Sequence, residues 1–282
     1  IKEKVERTAK KFVSKVKGVF RPIQHTHKEI LINAESLETR VAITVKGKLE
    51  NLTIERMDSL RMVGSIYKGR IRNLEDGLKA AFVDIGLEKN AFLHYWDIIP
   101  SPLDSSYDVV DRGKHKKEKP RITNKDIPRK YPSGTELTVQ VTKGPIGTKG
   151  PRVTTNVLLP GRYLVLLPNS EQSGVSRKIE NREERARLKK IVRELNVPDG
   201  MGVIIRTAGQ GQRKAYFIRD LAILLQTWDG ITDRVKNQKA GTCVFEEPDL
   251  IERTVRDFLT EDVERIVVDN AAEAERVRKL IG

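Results

Sequence analysis

Residues 200–211 carry the most restrictive pattern in the chain: Gly200-Met201-Gly202-Val203-Ile204-Ile205-Arg206-Thr207-Ala208-Gly209-Gln210-Gly211. Val203-Ile204-Ile205 is a β-branched run with no polar face, which predicts a strand covered on both sides. Beyond Gly211 the apolar residues Phe217, Leu221, Leu224, Trp228, Ile231 and Val235 recur at steps of four and three, the spacing of one helix face. A covered strand, a glycine turn and a long helix require a fold that mixes α and β. A helix starting at the turn would set backbone N–H groups and the positive end of its dipole beside Arg206 and Thr207. Such a corner suits an anion, most simply a phosphate. The competing reading is an ordinary βα connection with glycines for turning.

Charge favours the anion. The 282 residues hold 53 Lys and Arg against 39 Asp and Glu, a net charge of +14. The excess is spread along the chain, which points to RNA or DNA as partner. The one cysteine, Cys243, excludes an internal disulfide and a cysteine-based zinc site within the chain. It is consistent with a reducing, cytoplasmic setting. No apolar run approaches membrane-spanning length, and the first residues do not read as a secretory signal. The chain begins with Ile1 rather than Met, which suggests a piece of something longer.

Residues 1–20 read as a basic amphipathic helix, with Val5, Ala9, Phe12, Val16 and Val19 on one face. A solvated extension that docks locally is the favoured reading, and contact with an anionic membrane the less favoured one. Residues 28–57 switch to strand periodicity as a β-meander with a turn at Lys46-Gly47. Residues 62–99 and 135–155 read as short strands joined by turns, one of them Glu75-Asp76-Gly77. Aromatic residues amid Lys and Arg there fit a small barrel that stacks bases on Phe82 and Phe92. Burial of both rings in the core is the alternative. Residues 101–133 carry a charged run, Arg112 to Lys119, and read as a long, mobile insertion in a barrel loop. An apolar strand is expected over 158–168. Asn181 and Glu184 form a capping-box start for a helix through Leu195. A second α/β unit closes the chain, with a helix from Pro248 and Asp249, a strand at 265–269 and a helix capped by Asn270.

No hydrolytic centre is read. His25, His27, His94 and His115 lack metal-ligand spacing. Asp84, Asp97 and Asp269 are single acids at strand ends, and a magnesium nuclease needs converging carboxylates. Gly209-Gln210-Gly211 lacks the third glycine of a dinucleotide fingerprint.

Several motifs match one family in order. Ile66-Tyr67-Lys68-Gly69, Ala80-Ala81-Phe82-Val83-Asp84, residues 161–169 (Gly161 to Asn169), residues 174–180 (Gly174 to Glu180) and residues 200–209 resemble the amino-terminal half of the ribonuclease E/G family of bacterial endoribonucleases. Arg256-Asp257 and Ile266-Val267-Val268-Asp269 also fit, so the likeness runs from about Glu29 to Gly282. It implies an α+β, multidomain chain in which an S-one (OB-fold) β-barrel is inserted, with a 5′-sensor α/β segment, into a split domain like ribonuclease H. The implied boundaries are a basic extension over 1–27, a first ribonuclease H-like segment over 28–61, and the barrel over 62–155. The 5′-sensor then covers 156–251, and a second, truncated ribonuclease H-like segment covers 252–282.

The resemblance also implies residue roles. The family reads the 5′-monophosphate of single-stranded RNA with an arginine-threonine pair, matched by Arg206 and Thr207. Gly161, Val165 and Arg177 match the rest of that pocket, and Phe82, Phe92 and Lys149 match RNA contacts of the barrel. Ile85 stands where a family member can have a tyrosine near the RNA path. Magnesium is expected for the full-length enzyme, bound outside this chain, as is zinc shared between subunits of a homo-oligomer. No metal is expected on these 282 residues. The expected function is RNA binding and 5′-end sensing for an endoribonuclease of RNA processing and degradation. The alternative is a non-catalytic single-stranded RNA-binding protein of ribosome-associated or RNA-chaperone type.

Overall fold

The computed structural model describes residues 27–56, 62–99, 103, 105–113, 122–260 and 262–281. The reading of residues 1–20 as a basic helix lies outside them, as does most of the charged run after Arg112. The chain divides into two compact units. One joins Ile1–Met57 to Leu259–Gly282, and the other is Asp58–Phe258. The fold is mixed α+β.

In the first unit, β1 (Lys28–Ala34), β2 (Glu38–Val45) and β3 (Lys48–Arg56) form the expected meander. The connection between β2 and β3 is Lys46-Gly47, both at positive φ, as a two-residue hairpin turn requires. β15 (Val263–Val268) adds in parallel beside β1. Alternation along β1 and β2 buries Ile30, Ile32, Val41 and Ile43. The final helix (Ala271–Ile281) is capped by the Asn270 side chain, which accepts from the Ala272 N–H at 2.9 Å. Asp269 carboxylate oxygens accept from the Ala34 N–H at 2.9 Å and from Asn33 Nδ2, tying β1 to the end of β15.

The second unit holds a closed barrel. β4 (Ile66–Glu75), β5 (Ala80–Asp84), β6 (Ala91–His94), β9 (Arg152–Thr154) and β8 (Glu136–Lys143) pair in that order, and β8 returns to β4. β6 and β9 run parallel and the remaining barrel pairs antiparallel. A further strand, β14 (Thr242–Phe245), pairs antiparallel with the start of β4. Strand alternation packs Ile71, Ala81, Val83, Leu93, Val139, Val141 and Val153 inward. The β4–β5 turn closes at Lys79, which takes the left-handed conformation. Ile85 is also buried.

The same unit holds a second sheet in the order β10 (Leu159–Pro160), β11 (Leu164–Leu167), β13 (Gly202–Ile205), β12 (Gly174–Ser176), β7 (Tyr107–Val109). All four residues of β13 are buried, as its β-branched run predicts. Gly202 is required by packing: a Cβ there would lie 1.8 Å from the Gln172 carbonyl oxygen. Helices Arg182–Glu194 and Lys214–Asn237 share a core with this sheet, contributing Leu188, Ile191 and Val192 from one and Phe217, Leu221, Leu224 and Trp228 from the other.

Three expectations need correction. The strand expected over 158–168 is broken into β10 and β11 at the Gly161 turn. The insertion is not all loop, since Tyr107–Val109 pairs antiparallel with β12 and Ile127 is buried in the barrel core. The capping box at Asn181 is half formed. Asn181 Oδ1 accepts from the Glu183 and Glu184 N–H groups, but the Glu184 carboxylate turns to Arg187 and to the Gly211 N–H at 2.8 Å.

Candidate nucleic-acid interface

Register gathers the five residues expected to form a 5′-phosphate pocket. β11 runs antiparallel to β13 with Leu164 opposite Ile205, so Gly161, just before β11, lies near the end of β13. The Arg206 N–H donates to the Tyr163 carbonyl at 2.8 Å and carries this pairing one step further. Val165 is opposite Ile204 and, by strand alternation, faces the same side as Arg206. β12 lies parallel on the other side of β13 with Val175 beside Ile205. Arg177 therefore emerges at the same strand ends, exposed, with its N–H donating to the Ser106 carbonyl. Thr207 is exposed and opens a 3-10 helix, Thr207–Gly209.

The long helix does not start at this corner. It begins at Lys214, so the dipole expected beside Arg206 and Thr207 is displaced by the intervening turn. What orients Arg206 is a pair of acceptors. Its Nη1 donates to the Gly161 carbonyl at 2.6 Å and to Asp257 Oδ1 at 2.7 Å. Asp257 also accepts from Arg256 Nε at 3.0 Å, and Arg256 Nη1 reaches Glu247 at 2.9 Å. Charges thus alternate along Arg206, Asp257, Arg256 and Glu247. Burial pushes the Asp257 carboxyl up, but the Arg256 and Arg206 guanidiniums outweigh it and hold its pKa below the ordinary carboxylate value.

Gly161 has a second constraint. A Cβ at this position would sit 2.7 Å from both Asp220 carboxylate oxygens. Asp220 is 8 % exposed and accepts from the N–H groups of Arg162, Tyr163 and Leu164 at 3.2, 2.9 and 2.8 Å. The turn into β11 is therefore wrapped around a carboxylate supplied by the long helix. Those amides are engaged by the protein itself, so a ligand at this corner would be met by Arg206 and Thr207.

Near Arg177 lies another charge cluster. The hydrogen bond from Lys189 Nζ at 2.7 Å lowers the Asp108 pKa, with the Arg177 and Arg185 charges adding to it.

On the barrel, Phe82 and Phe92 are directly opposite each other across β5 and β6. Their ring centroids are 5.8 Å apart in an edge-to-face arrangement. Both are half-buried on the outer face, between full core burial and full exposure. They line a cleft of about 860 Å³ together with Lys89, Lys143, Lys149 and Arg152. Lys149 is placed by a small turn in which it and Ile146 exchange backbone hydrogen bonds. Two aromatic faces and four cations around one open cleft can hold a single-stranded polyanion by stacking and phosphate contact.

Comparison with known proteins supplies the family. The profile of the Ribonuclease E/G family matches residues 158–282. Over 242 residues the chain is 42 % identical to ribonuclease G of Escherichia coli (strain K12), an alignment covering 86 % of this chain and 47 % of that protein. The chain belongs to the ribonuclease E/G family. Ribonuclease G of Haemophilus influenzae is 40 % identical with the same shares covered. Ribonuclease E of Haemophilus influenzae is 38 % identical over 256 residues, 90 % of this chain and 26 % of that protein. The chain therefore spans about half the length of its ribonuclease G relatives and about a quarter of that ribonuclease E.

On this family member, sequence reasoning gave no role to Asp220, Asp257, Lys89, Lys143 and Arg152. Asp220 had a signal, an acid beside Leu221 on the face of a helix that is otherwise apolar. Among the described residues no three His, Cys, Asp or Glu side chains converge to hold a metal ion, and no helix is long and apolar enough to cross a membrane.

Proposed function

We propose that this chain is the RNA-binding and 5′-monophosphate-sensing portion of a ribonuclease E/G-type endoribonuclease that acts in RNA processing and decay. The observation that carries the reading is the meeting of Gly161, Val165, Arg177, Arg206 and Thr207 at one end of three adjacent strands. Arg206 has both protein hydrogen bonds on Nη1, which leaves Nη2 and Nε as donors for a terminal phosphate. The exposed Thr207 adds a hydroxyl.

The strand order of the barrel supports an S-one (OB-fold) reading, and its cleft supports a role as a clamp for single-stranded RNA. The meander with its parallel fourth strand is compatible with the split ribonuclease H-like domain of the family. Cleavage of the phosphodiester belongs to a downstream segment of the parent protein, with magnesium bound there. Zinc sharing, homo-oligomerisation and a cytoplasmic location are included in the same proposal and rest on the family likeness.

Titration with labelled single-stranded RNA tests it. A 5′-monophosphorylated oligonucleotide binds more tightly than its 5′-hydroxyl twin, and Arg206→Ala abolishes the difference. Equal affinities in the unmodified chain would sink the sensor assignment.

A further inference from the structure

Trp96 is a large apolar side chain in an unusual place. It lies in a short helix, Tyr95–Ile98, directly after β6, and 51 % of its surface is exposed. Phe92 and His94 are two residues apart on β6 and so share its outer face. Their ring centroids are 5.5 Å apart. The His94 and Trp96 rings are stacked, with centroids 3.2 Å apart and planes within 13°. Phe82, Phe92, His94 and Trp96 therefore form a continuous row of rings leading out of the cleft.

A cation accompanies the row. Arg152 lies opposite Phe92 in the parallel β6–β9 pair and lines the cleft. Its Nη2 donates to Asp97 Oδ2 at 2.9 Å, next in sequence to Trp96. Arg152 thus lines the cleft and pairs with the residue that follows Trp96. One face of the indole is covered by His94 while half of the residue stays exposed, which is area a base can stack on.

We infer that Trp96, backed by His94, is a further base-stacking subsite for single-stranded RNA, continuous with the Phe82–Phe92 cleft and flanked by Arg152 for the adjoining phosphate. The inference rests on the reading of the barrel as an RNA clamp. Burial and the Arg152 charge lower the His94 pKa, which keeps the imidazole neutral beneath the indole at neutral pH. Stacking of this kind tolerates any base and requires it to be unpaired.

Tryptophan emission supplies a direct readout. The chain has two tryptophans, and Trp228 is 9 % exposed within the helix core. A 5′-hydroxyl oligouridine, which leaves the 5′-end corner out of play, quenches the emission of the intact chain. Trp96→Leu removes the quench and weakens binding roughly tenfold without lowering Tm, while Trp96→Phe restores most of the affinity. A duplex of the same length gives no quench. Binding by Trp96→Leu equal to the unmodified chain, or a quench that survives this substitution, overturns the inference. If Phe82→Ala weakens binding and Trp96→Leu does not, the subsite falls and the clamp stands. If the unmodified chain binds no RNA, both fall.

Discussion

Arg206 Nη1 and Asp257 Oδ1 are 2.7 Å apart, joining the end of β13 to a residue 51 positions later in the chain. Asp257 belongs to the helix Leu250–Phe258, and Arg256 of that helix binds the same carboxylate. The guanidinium is held by this acid and by the Gly161 carbonyl before any ligand arrives. A pre-oriented donor loses less entropy on binding than a mobile one.

This arrangement separates arginine from lysine. An ammonium has three donors at one point, whereas the guanidinium spreads five over a fork. Lysine can give at most one N–H each to Gly161, Asp257 and a phosphate, and loses the two-pronged contact that Nη2 and Nε offer. Arg206→Lys is expected to lose most of the preference for 5′-monophosphorylated over 5′-hydroxyl RNA, while affinity for the 5′-hydroxyl strand stays within about twofold. Paired titrations of the two oligonucleotides measure the ratio. A ratio equal to that of the unmodified chain would show that charge alone suffices.

Asp257 also makes stability depend on pH. Its folded pKa lies below the unfolded value of about 3.9. The stabilisation is therefore complete above that value and is lost as pH falls through the folded pKa. Replacing Asp257 by Asn removes the charge and the linkage with it. The Tm difference between the unmodified chain and Asp257→Asn should be largest near neutrality and shrink below about pH 4. Calorimetry from about pH 7 down to about pH 3 follows it. A constant difference would mean that the ion pair adds nothing to the folded state.

The barrel cleft predicts a salt signature. Each phosphate neutralised on a single strand contributes about 0.7 to the slope of log affinity against log salt. Lys149→Ala should reduce that slope by about this amount with little change at high salt. Phe82→Ala should lower affinity roughly tenfold at every salt concentration, because stacking is uncharged. Anisotropy titrations across a salt series separate the two effects. A slope unchanged by Lys149→Ala would remove that lysine from the RNA path.

Much of the fold was legible because the pattern was local. The run Val203-Ile204-Ile205 could only be a covered strand, and the apolar steps from Phe217 to Ile231 could only be a helix face. Asn270 announced its helix by capping chemistry that acts over three residues. The misses have a common cause, which is tertiary competition. Glu184 had the spacing to close a capping box, but Arg187 and the Gly211 N–H are better partners in the folded chain. Tyr107–Val109 is too short to show a period and becomes a strand only because β12 presents an open edge. The candidate site was legible as residues and illegible as bonding. Nothing near Arg206 in sequence shows that Asp257 holds its guanidinium, or that Asp220 engages the amides of the Gly161 turn.

Asp220 gives the sharpest stability test. Its two oxygens accept three N–H donors, from Arg162, Tyr163 and Leu164, in a buried position. Asparagine keeps the shape but offers one acceptor oxygen, and its amide group would point N–H donors at N–H donors. At least one buried amide is then unsatisfied, at a cost of about 1–3 kcal/mol. The turn that presents Gly161 to Arg206 should loosen as well. Asp220→Asn is therefore expected to lower unfolding free energy by about that amount and to reduce the 5′-phosphate preference without touching the barrel cleft. Urea unfolding and the paired titration read the two effects. A loss of stability with the preference intact would assign Asp220 to the core alone, and unchanged stability would show that the three amides find other partners.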